Sequence, residues 1–276
     1  MATLQHNSLT QQLQIGAVSY LNSRPLIEGL ESLLPAANLV LDYPSRLADS
    51  LSDGSLDVAL IPSIEYFRSP GYEVVSDACV AARGEVLSVK LYCRVHPGSI
   101  RRLALDDGSR TSAALTKIIL ADRYGVIPET EPLRMESTTK DSSADAVLLI
   151  GDRAMHDPQE TFVEVMDLGQ VWYDWTGLPF VFAMWVARQE VDTDGIDDVL
   201  SHARDLGLAR VAEIAAEEAP RLGLTQSVAH SYLTKNLHYH LTSAERSGLR
   251  LFSELAAQHN LVKPDVKIVF RDFVTA

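Results

Sequence analysis

Residues 16–26, GAVSYLNSRPL, contain the pattern that decides the fold, because they lead an apolar run directly into a polar turn. The apolar run over 13–21 predicts a buried strand, and Asn22 and Ser23 end it. Pro25 follows at a position where the first turn of a helix tolerates proline. The stretch therefore predicts a strand, a tight polar turn and a helix in succession.

The predicted helix covers residues 25–34, where leucine and isoleucine recur at helical spacing. The N–H groups at the start of a helix have no acceptor inside it, and the helix dipole is positive at that end. We therefore expect an anion site beside Asn22, Ser23 and Arg24.

A second stretch repeats this plan at residues 51–66, LSDGSLDVALIPSIEY. It predicts the end of a helix, a turn at Gly54, a buried strand over 58–61 and another polar strand end at Ser63. Two polar strand ends in succession favour a binding site built from loops at one edge of a sheet.

Four stretches, in this order, resemble the chorismate dehydratases of menaquinone biosynthesis. They are SYLNSRPL at 19–26, DYPSRLADSL at 42–51, GSLDVALIPS at 54–63 and VLSV at 86–89. The resemblance is densest over 13–93, returns at 109–112 and 174–180, and is weak across the C-terminal region. It implies a type II periplasmic-binding-protein-like fold, with two lobes and a cleft between them.

The spacing of the strand-like and helix-like runs independently predicts an α/β protein with sheets flanked by helices. Strands are expected at 13–20, 39–43, 58–61, 102–105 and 146–150, helices at 25–34, 45–51 and 111–124. Four further helices are expected at 196–206, 208–218, 227–237 and 243–259, and a last strand at 266–270.

Two long β-prone runs, 86–95 and 180–187, are expected to carry the chain between the lobes. The first lobe is therefore predicted to be discontinuous, with residues 13–93 and 188–276, and the second lobe to comprise residues 94–187. Residues 1–12 are polar and are predicted to form a flexible leader.

The composition narrows the classes of partner. The chain has 276 residues, 46% of them hydrophobic, and a formal net charge of −13, which argues against nucleic acid or an anionic membrane as a partner. No stretch approaches the roughly 20 apolar residues of a membrane span, and the leader lacks the features of a signal peptide. The two cysteines, Cys79 and Cys93, are expected to be buried thiols. We therefore predict a cytoplasmic protein, for which a homodimer is possible. The resemblance implies that its partner is a small dianionic substrate.

Ligands of open α/β sheets bind beyond the carboxyl ends of the strands, so the polar strand ends should face one cleft. The predicted substrate-binding residues lie at these ends: Ser23, Arg24, Ser45, Ser63, Ser109, Thr111, Ser112, Gly151 and Asp152. Either of two opposed helix starts could hold a carboxylate, and the basic residues nearby are Arg24, Arg46, Arg110 and Arg153. By the resemblance, Asn22 and Ser88 match the two polar residues closest to the departing hydroxyl, and we predict them to be catalytic.

The resemblance implies a carbon–oxygen lyase that removes water from chorismate to give 3-[(1-carboxyvinyl)oxy]benzoate, the first step of the futalosine route. No histidine or glutamate stands in the matching motifs to act as a base, so we expect a substrate carboxylate to take the proton. No metal-ligand spacing or nucleotide motif appears, and we predict neither a metal nor a cofactor.

Two alternatives keep the same fold. A small-anion binding or sensing protein would close on its ligand without reaction, although solute capture needs export and sensing needs a DNA-binding segment. The paralogous enzyme that makes 1,4-dihydroxy-6-naphthoate has the same architecture, but SYLNSRPL favours the dehydratase.

Overall fold

The computed structural model describes residues 12–69 and 71–271. Its strands are β1 (Gln14–Val18), β2 (Asn38–Asp42), β3 (Val58–Pro62), β4 (Tyr72–Ala82), β5 (Val89–Cys93), β6 (Arg102–Asp106), β7 (Glu129–Leu133), β8 (Ala146–Ile150), β9 (Glu164–Asp167), β10 (Phe180–Arg188) and β11 (His238–His240). The predicted leader, 1–12, lies outside the described residues except for Gln12.

The α-helices are α1 (Leu30–Leu33), α2 (Pro44–Ser52), α3 (Ser63–Arg68), α4 (Arg110–Tyr124), α5 (Leu168–Thr176), α6 (Ile196–Ala209), α7 (Val211–Glu218), α8 (Gln226–Ser231) and α9 (Ser243–Gln258). Short 3₁₀ segments lie at Leu21–Ile27, Pro97–Ser99, Thr139–Asp141 and Asp152–Met155, and a π-helical turn at Tyr232–Asn236. Among the described residues, no helix combines the length and the apolar character that crossing a bilayer requires.

The strands form two mixed sheets. A six-stranded sheet has the order β11-β4-β10-β3-β1-β2, and a five-stranded sheet has the order β7-β6-β8-β5-β9. β1 pairs in parallel with β2 and β3, and β6 pairs in parallel with β7 and β8. Because parallel strands end at the same edge, the loops after β1 and β3 meet at one edge, and those after β6 and β8 meet at another. The two edges face each other across a cleft.

The chain passes between the sheets between β4 and β5, and again between α5 and β10. Residues 89–93 therefore belong to the five-stranded sheet, although the predicted first lobe, 13–93 with 188–276, includes them. Residues 180–188 belong to the six-stranded sheet, although the predicted second lobe, 94–187, includes most of them. The crossing is made by the short segments before these strands, because strand pairing holds each strand wholly within one sheet. The exact lobe boundaries stay a prediction.

The predicted helix over 25–34 is wrong. Residues 21–27 form a 3₁₀ segment, Glu28 is extended with ψ of 123°, and Gly29 is left-handed with φ of +68°, so helical structure resumes only at Leu30. The 3₁₀ segment packs under α6, where a Cβ on Gly207 would lie 2.1 Å from the Pro25 carbonyl oxygen. A glycine at this point lets two backbones touch, and this contact fixes the position of the segment that carries Asn22.

The last predicted strand, 266–270, is reduced to a single bridge between Val74 and Phe270. The C-terminal helices agree with their predicted positions, except that the helix expected over 227–237 changes into the π-helical turn at Tyr232. The sequence patterns missed β4, β7, β9, β11, α3 and α5. Most of these are short, and β4 is buried along most of its length, so it shows no alternation.

Candidate active site

A cavity lies between the two facing sheet edges. Its empty space is about 520 Å³, including the part that opens to solvent. Six of the predicted residues line it: Asn22, Ser88, Ser109, Thr111, Ser112 and Gly151. Tyr20, Val86 and Phe182 are among the groups that complete the wall. We call Asn22 and Ser88 the amide–hydroxyl wall, and Ser109, Thr111 and Ser112 the helix-start wall.

Ser88 lies in a tight turn immediately before β5. Its N–H donates to the Val86 carbonyl at 2.8 Å, and the residue between them, Leu87, has φ of +66°. Such a three-residue turn is rare and strained for a residue with a side chain. Strained backbone persists where the surroundings hold it, and it clusters at functional sites.

The carboxylate of Asp167 stabilises this turn through hydrogen bonds to its backbone. It accepts the N–H of Val86 at 2.9 Å and that of Leu87 at 2.7 Å, and it also caps α5 through Gln170 N–H at 3.1 Å. Burial raises the pKa of Asp167, whereas these three N–H donors act to lower it. Gly151 N–H donates to the Ser88 carbonyl at 2.9 Å and fixes the other end of the turn.

The Ser88 hydroxyl is itself held by a buried phenol. Tyr232, from the C-terminal region, donates its O–H to Ser88 Oγ at 2.8 Å. Burial raises the pKa of Tyr232 well above its ordinary value, and the hydrogen bond to Ser88 only partly opposes that rise. The phenol therefore stays protonated and acts as a donor.

Asn22 carries a buried polar atom that the protein leaves unsatisfied. Its Oδ1 has no hydrogen-bond partner within the part of the chain that the structure describes. A buried acceptor without a donor is costly, and in a binding cavity it is suited to a donor on the ligand. The amide–hydroxyl wall thus offers one hydroxyl and one free amide oxygen, with no charged group.

The helix-start wall is built differently. α4 has 15 residues, and its first-turn N–H groups have no acceptor inside the helix. Thr111 Oγ1 accepts the Ile64 N–H at 3.2 Å and lies 3.4 Å from Ser63 Oγ, which donates to the Val181 carbonyl at 2.7 Å. This wall can bind a carboxylate through backbone N–H groups and hydroxyls.

Gly151 brings the two sheets close together behind the cavity. Its φ is +73°, and a Cβ there would lie 2.7 Å from the Tyr20 ring. The ring lies against the Gly151 backbone and packs edge-on against Tyr43 at 5.9 Å. Burial raises the pKa of Tyr20, so this phenol also stays neutral.

Five predicted residues lie outside the cavity lining: Ser23, Arg24, Ser45, Ser63 and Asp152. The Ser23 hydroxyl bonds back to the Val18 and Tyr20 carbonyls and stabilises the turn. Ser45 lies in a neighbouring surface depression with Arg46 and Arg110, and Ser63 supports Thr111 from behind.

Asp152 contacts the opposite lobe instead of the cavity. Its carboxylate accepts the Leu21 N–H at 3.1 and 3.3 Å, so it occupies an N–H group at the turn where an anionic ligand was expected. Burial raises the pKa of Asp152 to about 6, although the Leu21 N–H and the Arg24 charge oppose the rise.

The four candidate arginines all contact carboxylates and lie outside the cavity lining. Arg24 lies 3.5 Å from Glu218 and Arg46 lies 3.5 Å from Asp42, whereas Arg110 binds Asp49 and Glu65, and Arg153 binds Asp106. Each positive charge is already compensated by the protein. A dianion in this cavity would therefore be bound by neutral donors.

The comparisons with known proteins agree with this architecture. The family model described as menaquinone biosynthesis matches residues 13–258. The chain belongs to this family. A curated relative, the chorismate dehydratase of Thermus thermophilus, is 35% identical over 259 residues, which cover 87% of this chain and 93% of that protein.

Solved structures confirm the predicted periplasmic-binding-protein-like fold of this family member. An Archaeoglobus fulgidus protein has a TM-score of 0.70 at 13% identity and covers 92% of this chain and 100% of its own. The alkanesulfonate-binding protein of Xanthomonas axonopodis has a TM-score of 0.62 at 15% identity and covers 92% of this chain and 95% of its own. The periplasmic aliphatic sulphonate binding protein of Escherichia coli has a TM-score of 0.60 at 16% identity, with coverages of 96% and 95%.

Sequence reasoning missed three groups that shape this family member's site: Tyr232, Asp167 and Tyr20. Tyr20 lies inside the SYLNSRPL stretch and could have been found there. Tyr232 and Asp167 lie far along the chain from Ser88, and only the fold brings them together. Among the described residues, no cluster of three or more His, Cys, Asp or Glu side chains could hold a metal ion.

Proposed function

We propose that this protein is a chorismate dehydratase, a carbon–oxygen lyase that converts chorismate to 3-[(1-carboxyvinyl)oxy]benzoate and water. Family membership and the name of the 35% identical relative support the class of reaction. One observation supports placing the reaction in this cavity: Asn22 and Ser88 line the same cavity as the start of α4. A compact dianion needs such an arrangement, in which two separate sets of donors are a short distance apart.

We assign the ring carboxylate of chorismate to the helix-start wall. Backbone N–H groups at the start of a 15-residue helix favour a negative charge, and the hydroxyls of Ser109, Thr111 and Ser112 surround them. We assign the leaving hydroxyl and the enolpyruvyl carboxylate to the amide–hydroxyl wall. The Ser88 O–H donates to the substrate, and Asn22 Oδ1, which lacks a donor among the described residues, accepts from it.

The reaction breaks a ring C–H bond and the neighbouring C–OH bond, and one water leaves as the ring becomes aromatic. The proton comes from the ring carbon that bears the enolpyruvyl ether. The enolpyruvyl carboxylate of the same molecule is within reach of that proton, so the substrate supplies its own base. Ser88 and Asn22 hold this carboxylate and the departing hydroxyl in place, and a cavity lined by uncharged groups keeps the carboxylate basic.

The cellular setting is part of the same proposal. A biosynthetic enzyme that draws on chorismate would work in the cytoplasm on a small dianion, without nucleic acid or a membrane as partner. A homodimer stays a prediction.

Turnover of chorismate by the purified protein tests the proposal. The protein is incubated with chorismate in buffer without added metal or cofactor, and the product is followed by ultraviolet absorbance and mass spectrometry. We expect an aromatic product that has lost one water. A heat-inactivated sample gives the background of spontaneous chorismate decay.

Two results would contradict the proposal. Saturable binding of chorismate without product would indicate an anion-binding protein, which is the function named for the sulfonate-binding proteins of the same fold. If the protein neither binds chorismate nor forms a product, the result would favour the naphthoate-forming paralogue.

A further inference from the structure

Tyr232 occupies a position that the proposed reaction does not use directly, because it is fully buried behind the amide–hydroxyl wall. We propose that Tyr232 is a positioning residue, whose phenol orients the Ser88 hydroxyl so that the Ser88 proton points into the cavity. The proposal rests on the proposed function for its kinetic consequence, but its structural consequence is independent of the substrate.

The backbone around both residues is unusual. Tyr232 begins the π-helical turn at Tyr232–Asn236, which the Leu237 N–H closes by donating to the Tyr232 carbonyl at 3.2 Å. A π-helical turn is rare and often marks a functional site, because it costs stability relative to a regular helix. The Asn236 side-chain amide donates to the Glu85 carbonyl at 3.0 Å. The turn is thereby tied to the segment that leads into Ser88.

The hydrogen-bonding capacity of the two hydroxyls fixes the direction of the protons. A phenol and a serine hydroxyl each have one proton to donate. Tyr232 donates its proton to Ser88 Oγ at 2.8 Å. The serine oxygen therefore acts as acceptor toward Tyr232, and its own proton is directed to another acceptor.

The Ser88 backbone leaves little other freedom. The Ser88 N–H donates to the Val86 carbonyl, and the Ser88 carbonyl accepts the Gly151 N–H. The remaining freedom is the rotation of the side chain and its hydroxyl, and Tyr232 restricts both. Loss of the phenol oxygen would free this rotation and leave the acceptor position of Ser88 empty.

The same core contains a matched control. Tyr239, on β11, is also a buried tyrosine at 2% exposure, but its hydroxyl has no hydrogen-bond partner among the described residues. Tyr239→Phe removes a buried phenol oxygen from the same region without touching Ser88. This variant therefore measures the effect of losing a buried phenol oxygen when the hydrogen bond to Ser88 is kept.

The kinetic test compares Tyr232→Phe, Tyr239→Phe, Ser88→Ala and the double variant Ser88→Ala/Tyr232→Phe with chorismate as substrate. We expect Tyr232→Phe to lower kcat about tenfold, the equivalent of one ordinary hydrogen bond, with KM unchanged because Tyr232 does not touch the substrate. Tyr239→Phe should leave kcat unchanged. In the Ser88→Ala background, Tyr232→Phe should cause no further loss, because it acts through Ser88.

Three kinetic results would overturn the proposal: a Tyr232→Phe variant with wild-type kcat, equal losses in both tyrosine variants, or losses at Ser88 and Tyr232 that multiply. The structural arm needs no substrate. Crystal structures of the wild type and of Tyr232→Phe should differ in the rotamer or the order of Ser88 Oγ, and an unchanged, well-ordered Ser88 would refute the positioning role. If the wild type fails to turn over chorismate, the proposed function fails, and the structural arm still decides the role of Tyr232.

Discussion

The two walls of the cavity look alike in the sequence and differ in the structure. Asn22 on one wall and the whole helix-start wall each follow the end of a parallel strand with a short polar stretch, and each is expected from the sequence to open a helix. The helix-start wall does open a 15-residue helix. Asn22 lies instead in a short 3₁₀ segment, and the carboxylate of Asp152 already accepts the Leu21 N–H of that segment. One wall is therefore suited to bind a charge, and the other is suited to neutral hydrogen bonds.

This difference separates binding from chemistry. The wall that attracts an anion holds the substrate in the ground state and the transition state alike, which affects KM. The wall without charge keeps the reacting carboxylate basic and orients the leaving group, which affects kcat. Variants on the two walls should therefore have different kinetic effects.

The largest effect is expected on the amide–hydroxyl wall. Ser88→Ala and Asn22→Ala should each lower kcat about 100-fold, the typical cost of removing one aligned hydrogen-bonding group from an active site, with little change in KM. Steady-state kinetics with chorismate measure both constants. A kcat within about threefold of wild type in a folded variant would exclude the assigned role.

Ser23→Ala is the matched control for this pair, because Ser23 is adjacent to Asn22 but bonds back to the Val18 and Tyr20 carbonyls. We expect it to lower the free energy of unfolding by about 1 kcal/mol and to keep its kcat. A loss of kcat as large as that of Ser88→Ala would return Ser23 to the substrate-binding residues.

A smaller effect is expected on the helix-start wall. Ser112→Ala removes one hydroxyl from the cavity lining and leaves the first-turn N–H groups of α4 in place. We expect KM to rise about tenfold while kcat stays close to wild type. A fall in kcat without a change in KM would reverse the division of labour between the two walls.

How well the sequence predicted each wall follows from how local its interactions are. The helix-start wall was predicted within one residue, at 111–124 against Arg110–Tyr124, because α4 has regular apolar spacing and ends at a left-handed Gly125. The 3₁₀ segment was missed because its shape depends on contacts with α6, where Gly207 touches Pro25. Tertiary contacts of this kind leave no periodic signal in the local sequence.

The residues that position Ser88 could not be predicted from a local sequence pattern. Its hydroxyl partner, Tyr232, is 144 positions away in the sequence, and the carboxylate that holds the preceding turn, Asp167, is 80 positions from Leu87. The VLSV stretch pointed to Ser88 through the family resemblance alone. The strained φ of Leu87 could not be read from a leucine, which rarely adopts it.

A further variant tests the contact between Gly151 and Tyr20 that joins the two lobes behind the cavity. Gly151→Ala would place a Cβ 2.7 Å from the Tyr20 ring at a φ of +73°. Gly125→Ala is the matched control, because its φ is +68° and no heavy atom lies within 4 Å of the added Cβ. We expect Gly125→Ala to cost about 1 kcal/mol for the backbone alone and Gly151→Ala about 3 kcal/mol, since the ring must also move. Equal losses in urea unfolding would mean that Tyr20 moves aside freely.

The smallest effects are expected from Asp152→Asn, which keeps an acceptor for the Leu21 N–H and removes the charge. Burial raises the pKa of Asp152 to about 6, a value that suits a general base, although Asp152 lies outside the cavity lining. If the substrate supplies the base, this variant should keep kcat within about threefold, whereas loss of a general base costs about 100-fold or more. A kcat reduced to that extent, with the fold intact, would assign the proton to Asp152 and remove it from the substrate carboxylate.

The same variant has a signature in the pH dependence of stability. A carboxyl whose pKa rises from 3.8 in the unfolded chain to about 6 in the folded protein takes up a proton on folding between those values. The free energy of unfolding therefore falls as the pH rises through that window.

Asp106 and Asp167 also have raised pKa values, so the wild-type curve contains their contributions too. Subtracting the Asp152→Asn curve, measured by thermal unfolding from pH 4 to pH 7, isolates Asp152. The wild type should lose stability relative to the variant as the pH rises, and parallel curves would mean that Asp152 titrates at its ordinary value and that the Leu21 N–H compensates its burial.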